Sequence, residues 1–567
     1  MCRHQHHRIL LLTSLAALAS ACSLEIVDTL VGARTDEGAS AETGWADEGG
    51  DAEGGDDEGG DDEGGGAGGG EGLGEPLFDV GDAEAPTSSC ELAAQLPSHI
   101  GCEFYGLDLD GPGLYDTDPF GFVVINPALD PVEVTLERHS ARGWVEVETK
   151  MIGGEDEGVF LPANDGQVHQ TGLHEHATLR LTAAAPIIVI QASPAEGSGH
   201  SASATMLQPS AAWSSVNPVA GWRTHQDFGE PSFLAVLAQT SGTSVALRPT
   251  FGIDEEPPDW AMLWTEEVVD PEEPPVEILT LPVEPGQLLR LDATAIDATE
   301  VDHGTSGSLV ESGQEHLISV FSAHTCAAIP EYEGACGHMQ EQLSPRLVGT
   351  RFVGPRLIAA DAGLGPDAGL VHERTMIQVV ATAPDTEVVF SYFDGQASVE
   401  LDTVTIDPDQ PYAVYAVEHD LAVVADQPIV ATAYMTNAQL TPLGSPSMVQ
   451  LAPVEQWTGR HWVWAPAGFE TQLVVSSTAS AAVEVQWLSG LDGELEPQPS
   501  PAVLELEQAA ADGLEPWTIR RYAVGPGLHR VESSGPASVV VAGWRVGDGF
   551  AYLGGWGASF ADLGPAG

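Results

Sequence analysis

The stretch "FGFVVINPALDPVEVTLER", residues 120–138, contains an apolar run, a turn with proline and aspartate, and then a run in which apolar and polar residues alternate. Alternation with a period of two is typical of β-strands, and Asn, Asp and Pro between two such runs favour a tight turn. The stretch therefore predicts two antiparallel strands joined by a short loop.

The same order of apolar run, turn and alternating run recurs three more times along the chain. The later copies begin with "FLAVLAQTSGTSVALRP" (233–249), "MIQVVATAPDTEVVFSY" (376–392) and "TQLVVSSTASAAVEVQW" (471–487). Each copy closes with a second apolar run, often introduced by proline, as in "APIIVIQASP" (185–194). A period of about 110 residues indicates that one structural unit was duplicated.

These units predict an all-β body over residues 87–560, because no long stretch has a convincing helical period. The repeats span residues of about 100–230, 231–372, 373–466 and 467–560. A propeller blade takes about 40–50 residues, so a unit of about 110 residues better fits tandem antiparallel β-sandwich-like repeats. The alternative is a closed β-propeller to which each unit contributes two blades.

A second repeated motif lies in the connectors between the repeats. Its copies are "MLQPSAAW" from residue 206, "MQEQLSP" from residue 339 and "MVQLAPVEQW" from residue 448. Repetition of both strands and connectors is expected when a whole unit is duplicated. We therefore interpret these connectors as part of the scaffold geometry rather than as separate binding sites.

The N-terminus has the layout of an export signal. Arg3 and Arg8 precede an apolar run that is too short to span a bilayer, and small residues then lead to Cys22. This pattern predicts a signal peptide over residues 1–21 and resembles a bacterial lipoprotein cleavage box, in which Cys22 carries the lipid. Secretion without a lipid is the alternative, and the only membrane contact that we expect is through the lipid anchor, where it is present.

Residues 22–86 form an acidic segment rich in glycine. From Ser23 to Pro86 it holds twenty acidic residues against Arg34 alone and has few apolar side chains. Such a composition cannot bury enough apolar surface to offset the entropy of ordering. The segment predicts a disordered linker that binds counterions diffusely.

The whole chain carries a formal net charge of −66, of which about −49 remains on residues 87–567. Nucleic acids and anionic lipid headgroups are bound through cationic patches. This balance excludes nucleic acid as an expected partner.

Export changes the interpretation of the cysteines, because an oxidising compartment favours disulfides. The four cysteines after Cys22 fall into two local pairs, which predicts the disulfides Cys90–Cys102 and Cys326–Cys336. Each closes a loop of roughly eleven residues and contributes about 2.7 kcal/mol by loop entropy. The alternative for the second pair is tetrahedral zinc, with His324 and His338 as the two nitrogen ligands.

The chain contains no HExxH helix, no Gly-x-Ser-x-Gly elbow, no phosphate loop and no dinucleotide fingerprint. "GHSAS" (199–203) is only a superficial likeness to the elbow, since Ser203 replaces the closing glycine. We therefore expect a protein that is not an enzyme and has no cofactor.

Two small features offer metal ligands. "DLDGPGLYDTD" places four carboxylates, Asp108, Asp110, Asp116 and Asp118, in a glycine-bearing loop with ligands suited to calcium, although a solvated turn is the simpler explanation. "HEH" places His174 and His176 on one face of an extended segment, where they could form a metal pair, although a solvent-facing strand is the simpler explanation.

Several tryptophans lie near the ends of repeats, where they could stack on sugars or close the core. They are Trp213, Trp222, Trp457, Trp462, Trp464 and Trp544.

Four motifs together resemble the N-terminal domain family of IgG Fc-binding proteins: "CEFYGLDLDG", "FVVINP", "IQVVATAPDTEVVF" and "SAHTCAAIPEYEGACGHMQEQLSP". The resemblance extends from about Cys90 to Trp544. It implies adhesion to, or recognition of, an extracellular protein or glycan by a lipoprotein of the bacterial envelope, outer membrane or cell surface. The alternatives are a structural envelope component without a ligand and a secreted hydrolase.

Overall fold

The computed structural model describes residues 89–109, 111, 119–163, 166–195, 201–224, 230–253, 262–266, 276–294, 304–330, 336–361, 370–416, 419–436, 444–488, 503–509 and 516–557. The predicted signal peptide and acidic linker lie outside these residues, as do Asp110, Asp116 and Asp118. In the part that is described, no helix is long and apolar enough to cross a membrane.

The body is built from antiparallel strands, as the alternating sequence pattern predicts. The described residues contain one short α-helix, α1 (Cys90–Gln95), which Ser89 caps by accepting a hydrogen bond from the Leu92 amide. They also contain two single 3₁₀ turns, Ser210–Ala212 and Val454–Gln456.

Grouped by chain order and pairing, the strands divide into four repeats, and we take repeats 2, 3 and 4 to begin at Val216, Gly349 and Thr458. Repeat 1 contains β1 (Gly101–Leu107), β2 (Gly121–Asn126), β3 (Val132–Ser140), β4 (Gly143–Ile152), β5 (Asp156–Phe160), β6 (Gly172–His174), β7 (Thr178–Ser193) and β8 (Ser203–Met206). Repeat 2 contains β9 (Val216–Pro218), β10 (Ser232–Ala238), β11 (Thr243–Arg248), β12 (Gly252–Ile253), β13 (Met262–Glu266), β14 (Val276–Val283), β15 (Leu288–Thr294), β16 (Leu309–Ser312), β17 (Ile318–Ala327) and β18 (Gly337–Leu343).

Repeat 3 contains β19 (Gly349–Gly354), β20 (Ala359–Asp361), β21 (Leu370–His372), β22 (Thr375–Ala381), β23 (Thr386–Phe393), β24 (Ser398–Ile406), β25 (Tyr412–Ala416), β26 (Leu421–Met435) and β27 (Ser447–Gln450). Repeat 4 contains β28 (Thr458–Ala465), β29 (Glu470–Thr478), β30 (Val483–Trp487), β31 (Val503–Ala509), β32 (Trp517–Val524), β33 (Gly527–Arg545) and β34 (Asp548–Leu553).

Within the described residues of repeats 1, 3 and 4, one long strand joins two arrangements of paired strands into a seven-stranded sheet, and in repeat 2 the two arrangements are separate sheets. In repeat 1 the first part of β7 pairs with β1 and β3, and its second part pairs with β2 and β8. We call the first arrangement the outer sheet and the second the inner sheet. β26 and β33 play the same double role in repeats 3 and 4, whereas repeat 2 divides this strand into β16 and β17.

Proline marks the point where the long strand passes from the outer to the inner sheet. Pro186 lies in β7 between the residues that pair with β3 and those that pair with β2. Pro428 and Pro536 occupy the same place in β26 and β33. Proline has no N–H to donate, so it fits where ladder pairing is interrupted. This explains the proline that introduces the second apolar run.

The inner strands are buried on both faces, and each face belongs to a different hydrophobic core. In β2, Phe122 and Val124 pack with residues of repeat 2, including Phe233. Val123 and Ile125 pack with residues of repeat 4. Successive side chains of a strand point to opposite faces, so one apolar run serves two neighbouring repeats.

Four such cores join the repeats in cyclic order: 1 with 2, 2 with 3, 3 with 4, and 4 with 1. The final inner-sheet strands of the repeats, β8, β18, β27 and β34, contact one another in the same order. The ring closes where the Ala202 amide donates to Asp548 (2.7 Å) and the Trp556 amide donates to His99 Nδ1 (3.0 Å). Each repeat therefore occupies one position in the ring, whereas the propeller alternative assigned two blades to each unit.

A buried ionic group joins repeats 3 and 4. Asp420 is fully buried, and its Oδ1 accepts hydrogen bonds from Arg521 Nη2 (2.6 Å) and from the Arg356 amide (2.7 Å). Arg521 Nη2 also donates to the Arg356 carbonyl (2.9 Å). The carboxylate offsets the desolvation of two guanidinium groups that are almost completely buried.

We expect Asp420→Asn to lower the free energy of unfolding by about 3–5 kcal/mol, because two buried cations lose their counter-charge. Urea unfolding of the exported chain checks this value. Asp409→Asn, at an exposed turn position of the same repeat, is the control. The double variant Asp420→Asn with Arg521→Met should lose less stability than the two single changes together; strict additivity would contradict the coupling.

Candidate functional site

The segment with two histidines and two cysteines joins β17 to β18. Cys326 is bonded to Cys336, ten positions away, and Cys90 is bonded to Cys102 near the start of the body. His324 and His338 are buried. His324 Nδ1 accepts from the Cys326 amide (3.1 Å), and His324 Nε2 contacts the Arg223 carbonyl (3.1 Å). The cysteine sulfurs and both His324 nitrogens are thus already engaged, and the arrangement differs from tetrahedral zinc.

The connector glutamines link neighbouring repeats. Gln342 Oε1 accepts from the Gln208 amide (2.6 Å), and Gln208 Nε2 donates to the Gln342 carbonyl (3.0 Å). One repeat further along, Gln450 Oε1 accepts from the Ser344 amide (2.6 Å) and its Nε2 donates to the Ser344 carbonyl (2.9 Å). The repeated Gln-Leu element therefore pairs buried backbone groups across junctions, which supports the scaffold interpretation.

Glu341 lies between these glutamines and is only 4% exposed. Its Oε1 accepts a long hydrogen bond from the Gln450 amide (3.4 Å). Burial raises the pKa of the Glu341 carboxyl to about 8, and hydrogen bonds from Thr205 and the Gln450 amide oppose that shift. The side chain is therefore mainly protonated at neutral pH and adds no charge to the interior.

Asp108 and the serine candidates from the sequence lie beside residues of the scaffold. Asp108 is buried after β1 and lies near Arg138, whose guanidinium pKa burial lowers and Asp108 raises. The remaining three calcium candidates lie outside the described residues. Ser201 and Ser203, from the elbow-like motif, accept hydrogen bonds from the His338 amide (2.7 Å) and Gln340 Nε2 (2.9 Å). Both serines therefore hydrogen-bond across the junction between repeats 1 and 2.

Most of the singled-out tryptophans are in the core rather than on a surface. Trp222 is half-buried and donates to the Ala328 carbonyl (3.0 Å). The other five are at most 8% exposed: Trp213, Trp457, Trp462, Trp464 and Trp544. Buried rings cannot stack on a sugar from solvent, so core closure is their role.

His174 and His176, the predicted pair, contact different neighbours in the structure. His174 Nε2 contacts the Gln170 carbonyl (2.8 Å) at the end of β6. His176 instead lies beside His139 of β3, with ring centroids 5.8 Å apart. His176 has a φ of 67°, so the chain leaves the extended conformation that would place the two histidines on one face. No motif in the sequence indicates that His139 lies beside this turn.

Among the described residues of repeat 1, five large apolar side chains are exposed. They are Leu129, Val145, Val147, Met151 and Leu161, exposed by 79, 48, 46, 64 and 43%, and we call them together the repeat 1 patch. Three of them belong to β4, which forms the edge of the outer sheet in the described part of the repeat. An edge strand presents unpaired backbone groups, and exposed apolar side chains add a surface that a partner can cover.

An open depression on repeat 4 differs in chemistry from the repeat 1 patch. It is lined by charged and small residues that include Arg460, Glu484, Glu532 and Ser533. Arg460 Nε pairs with Glu532 at 3.2 Å. The depression is open and its lining is mixed, whereas small-molecule sites are generally enclosed and mainly apolar.

A model of the family described as IgGFc binding protein matches residues 203–543. No curated protein matches the chain. One solved structure, described as a tetra-tandem repeat in the extending region of a large adhesion protein, is 9% identical, with 76% of this chain and 93% of that chain covered. The TM-score is 0.09, so we infer nothing about fold or function from that likeness.

Glu341 makes stability depend on pH. Its pKa is about 8 in the fold and 4.5 when unperturbed, so the folded state holds a proton that the unfolded state releases between these values. The contribution of this proton to the free energy of unfolding is fully present below pH 4.5. It is lost as the pH rises to about 8, at up to about 1.4 kcal/mol per pH unit.

We therefore expect Glu341→Gln to gain stability relative to the unmodified chain as the pH is raised from 5 to 9. Thermal unfolding of both proteins across this range provides the measurement, with exposed Glu315→Gln as the control. A difference in melting temperature that stays constant with pH would contradict the buried, protonated carboxyl.

Proposed function

The chain belongs to the IgGFc binding protein family, and on this basis we propose that it is an exported surface protein whose all-β body recognises an extracellular protein. The match covers the end of repeat 1 and almost all of repeats 2 to 4. Two disulfides support an oxidising compartment outside the cytoplasm.

The proposal that the ligand is a protein rests on the repeat 1 patch. Large apolar side chains that a protein exposes to solvent are candidates for association with a partner. Val145, Val147 and Met151 lie on an edge strand, which also offers backbone hydrogen bonds to an added strand. We propose that the partner covers β4 with apolar side chains of its own.

A glycan ligand has less support. Sugars are commonly bound by exposed aromatic faces, and five of the six tryptophans considered above are buried. A hydrolase is also less supported, because the serines of the elbow-like motif hold a repeat junction. A structural envelope component without a ligand remains the alternative that binding experiments must separate from recognition.

We further propose that Cys22 carries the lipid and that residues 22–86 tether the body to the bacterial outer membrane or cell surface. The apolar run before Cys22 and the acidic, glycine-rich composition after it support this arrangement. The lipid would then be the only contact with the membrane.

Intact mass and non-reducing peptide mapping of the protein from its native host test export and anchoring together. We expect a diacylglyceryl Cys22 as the first residue, with Cys90 linked to Cys102 and Cys326 linked to Cys336. An unmodified Cys22 within a secreted chain would replace anchoring by simple secretion. Free thiols at Cys326 and Cys336 would overturn the assignment to an oxidising compartment.

For recognition, we expect saturable binding to at least one protein of an immobilised panel that includes immunoglobulin G Fc and collagen, with a glycan array alongside. Combining Val145→Ser, Val147→Ser and Met151→Ser should weaken that binding at least about tenfold, since apolar anchors dominate interface energies.

Leu401→Ser is the matched control, because Leu401 is 47% exposed on β24, the equivalent edge strand of repeat 3. It should bind as the unmodified chain does. Binding to glycans alone, or no binding to any probe, would overturn protein recognition.

A further inference from the structure

A compact group of metal-ligating side chains lies at the end of the β3–β4 hairpin. His139 stands near the end of β3, and Glu175 and His176 form the turn between β6 and β7. One ligand atom of each residue lies within 4.8 Å of the other two. The turn therefore supplies a carboxylate oxygen and an imidazole nitrogen next to the imidazole of His139.

His139 is held in place from two sides. Its ring meets Trp144 edge-on at 5.1 Å. On the other side Gly286, between β14 and β15, lies so close that a Cβ there would approach the ring to 2.2 Å. Nδ1 of His139 is buried, and it has no hydrogen-bond partner among the described residues. A buried ring nitrogen without a partner is costly unless something binds it.

The turn is also fixed in a conformation that needs support. His176 has a φ of 67°, which a residue with a Cβ seldom adopts and which clusters at functional sites. Gln287 of repeat 2 donates through Nε2 to Glu175 Oε1 (2.6 Å) and so orients the carboxylate. Hydrogen bonds of this kind position metal ligands in known sites.

The local charge suits a cation. Arg180 is close to His139, but its guanidinium pairs with Glu137 at 2.7 Å and lies over the Trp144 ring at 4.4 Å. Glu175 therefore leaves the group with a negative charge when both histidines are neutral. Two imidazoles and one carboxylate with an open fourth position form a ligand set that zinc accepts.

We propose that His139, Glu175 and His176 bind one zinc ion and thereby fasten the β3–β4 hairpin to the β6–β7 turn. The site lies on repeat 1, away from the disulfide segment, and it is independent of the recognition proposed above. His174 is excluded from it, because Nε2 of His174 faces the Gln170 carbonyl.

The test uses the full exported chain, stripped with a chelator and titrated with Co²⁺ and Zn²⁺. We expect one equivalent of Co²⁺ to give the intense visible d–d bands of a tetrahedral site, and Zn²⁺ to abolish them and raise the melting temperature. Cobalt held diffusely by the acidic linker keeps its water shell and gives only weak octahedral bands, so the two kinds of binding are distinguishable.

His176→Gly is the decisive variant, because glycine adopts a φ of 67° without strain and the fold should be retained. We expect it to weaken cobalt binding at least about tenfold. Glu175→Gln, which preserves the shape of the side chain, should weaken binding as well. His174→Ala is the matched control and should leave binding unchanged.

The absence of tetrahedral bands in the unmodified chain would overturn the proposal. Equal affinity in His176→Gly would do the same. Loss of binding in His174→Ala would assign the ion to the His174–His176 pair instead.

Discussion

The inner strand of each repeat buries both of its faces, and the rest of the body depends on this constraint. One face of β2 packs toward repeat 2 and the other toward repeat 4, so repeat 1 alone would expose a complete apolar surface. The same holds for β10, β22 and β29, whose residues are divided between two cores. Closure of the ring is therefore a requirement of hydrophobic burial rather than an addition to four stable units.

Closure places polar backbone inside the protein, and the connectors satisfy it. The side chains of Gln342 and Gln450 each bridge to the connector of the preceding repeat. The buried ion pair of Arg521 with Asp420 joins repeats 3 and 4 in a similar way. An interior of this kind tolerates Glu341 only in its neutral form, which is why burial raises its pKa. Specific hydrogen bonds thus fix the register of contacts that apolar packing alone would leave loosely defined.

The sequence predicted the repeats and their strands well, because "GFVVIN" and its three counterparts are local signals with a period that recurs. It did not predict ring closure, since an apolar run shows that both faces are covered but not by which repeat. The residues of the candidate sites were harder to predict from the sequence. Val145 and Met151 lie in the apolar–polar alternation of β4, yet both side chains are exposed. His139 was missed because it meets His176 through a left-handed turn that breaks the extended pattern.

A ring closed by the contact between His99 and Trp556 has no terminal repeat. Open repeat arrays gain and lose internal copies during evolution, since each unit touches only its neighbours and capping units seal the ends. Here the loss or gain of one unit would break two cores at once and leave inner strands uncovered. The number of repeats is therefore constrained by burial, and the edge strands and loops are the positions where a substitution disturbs the ring least.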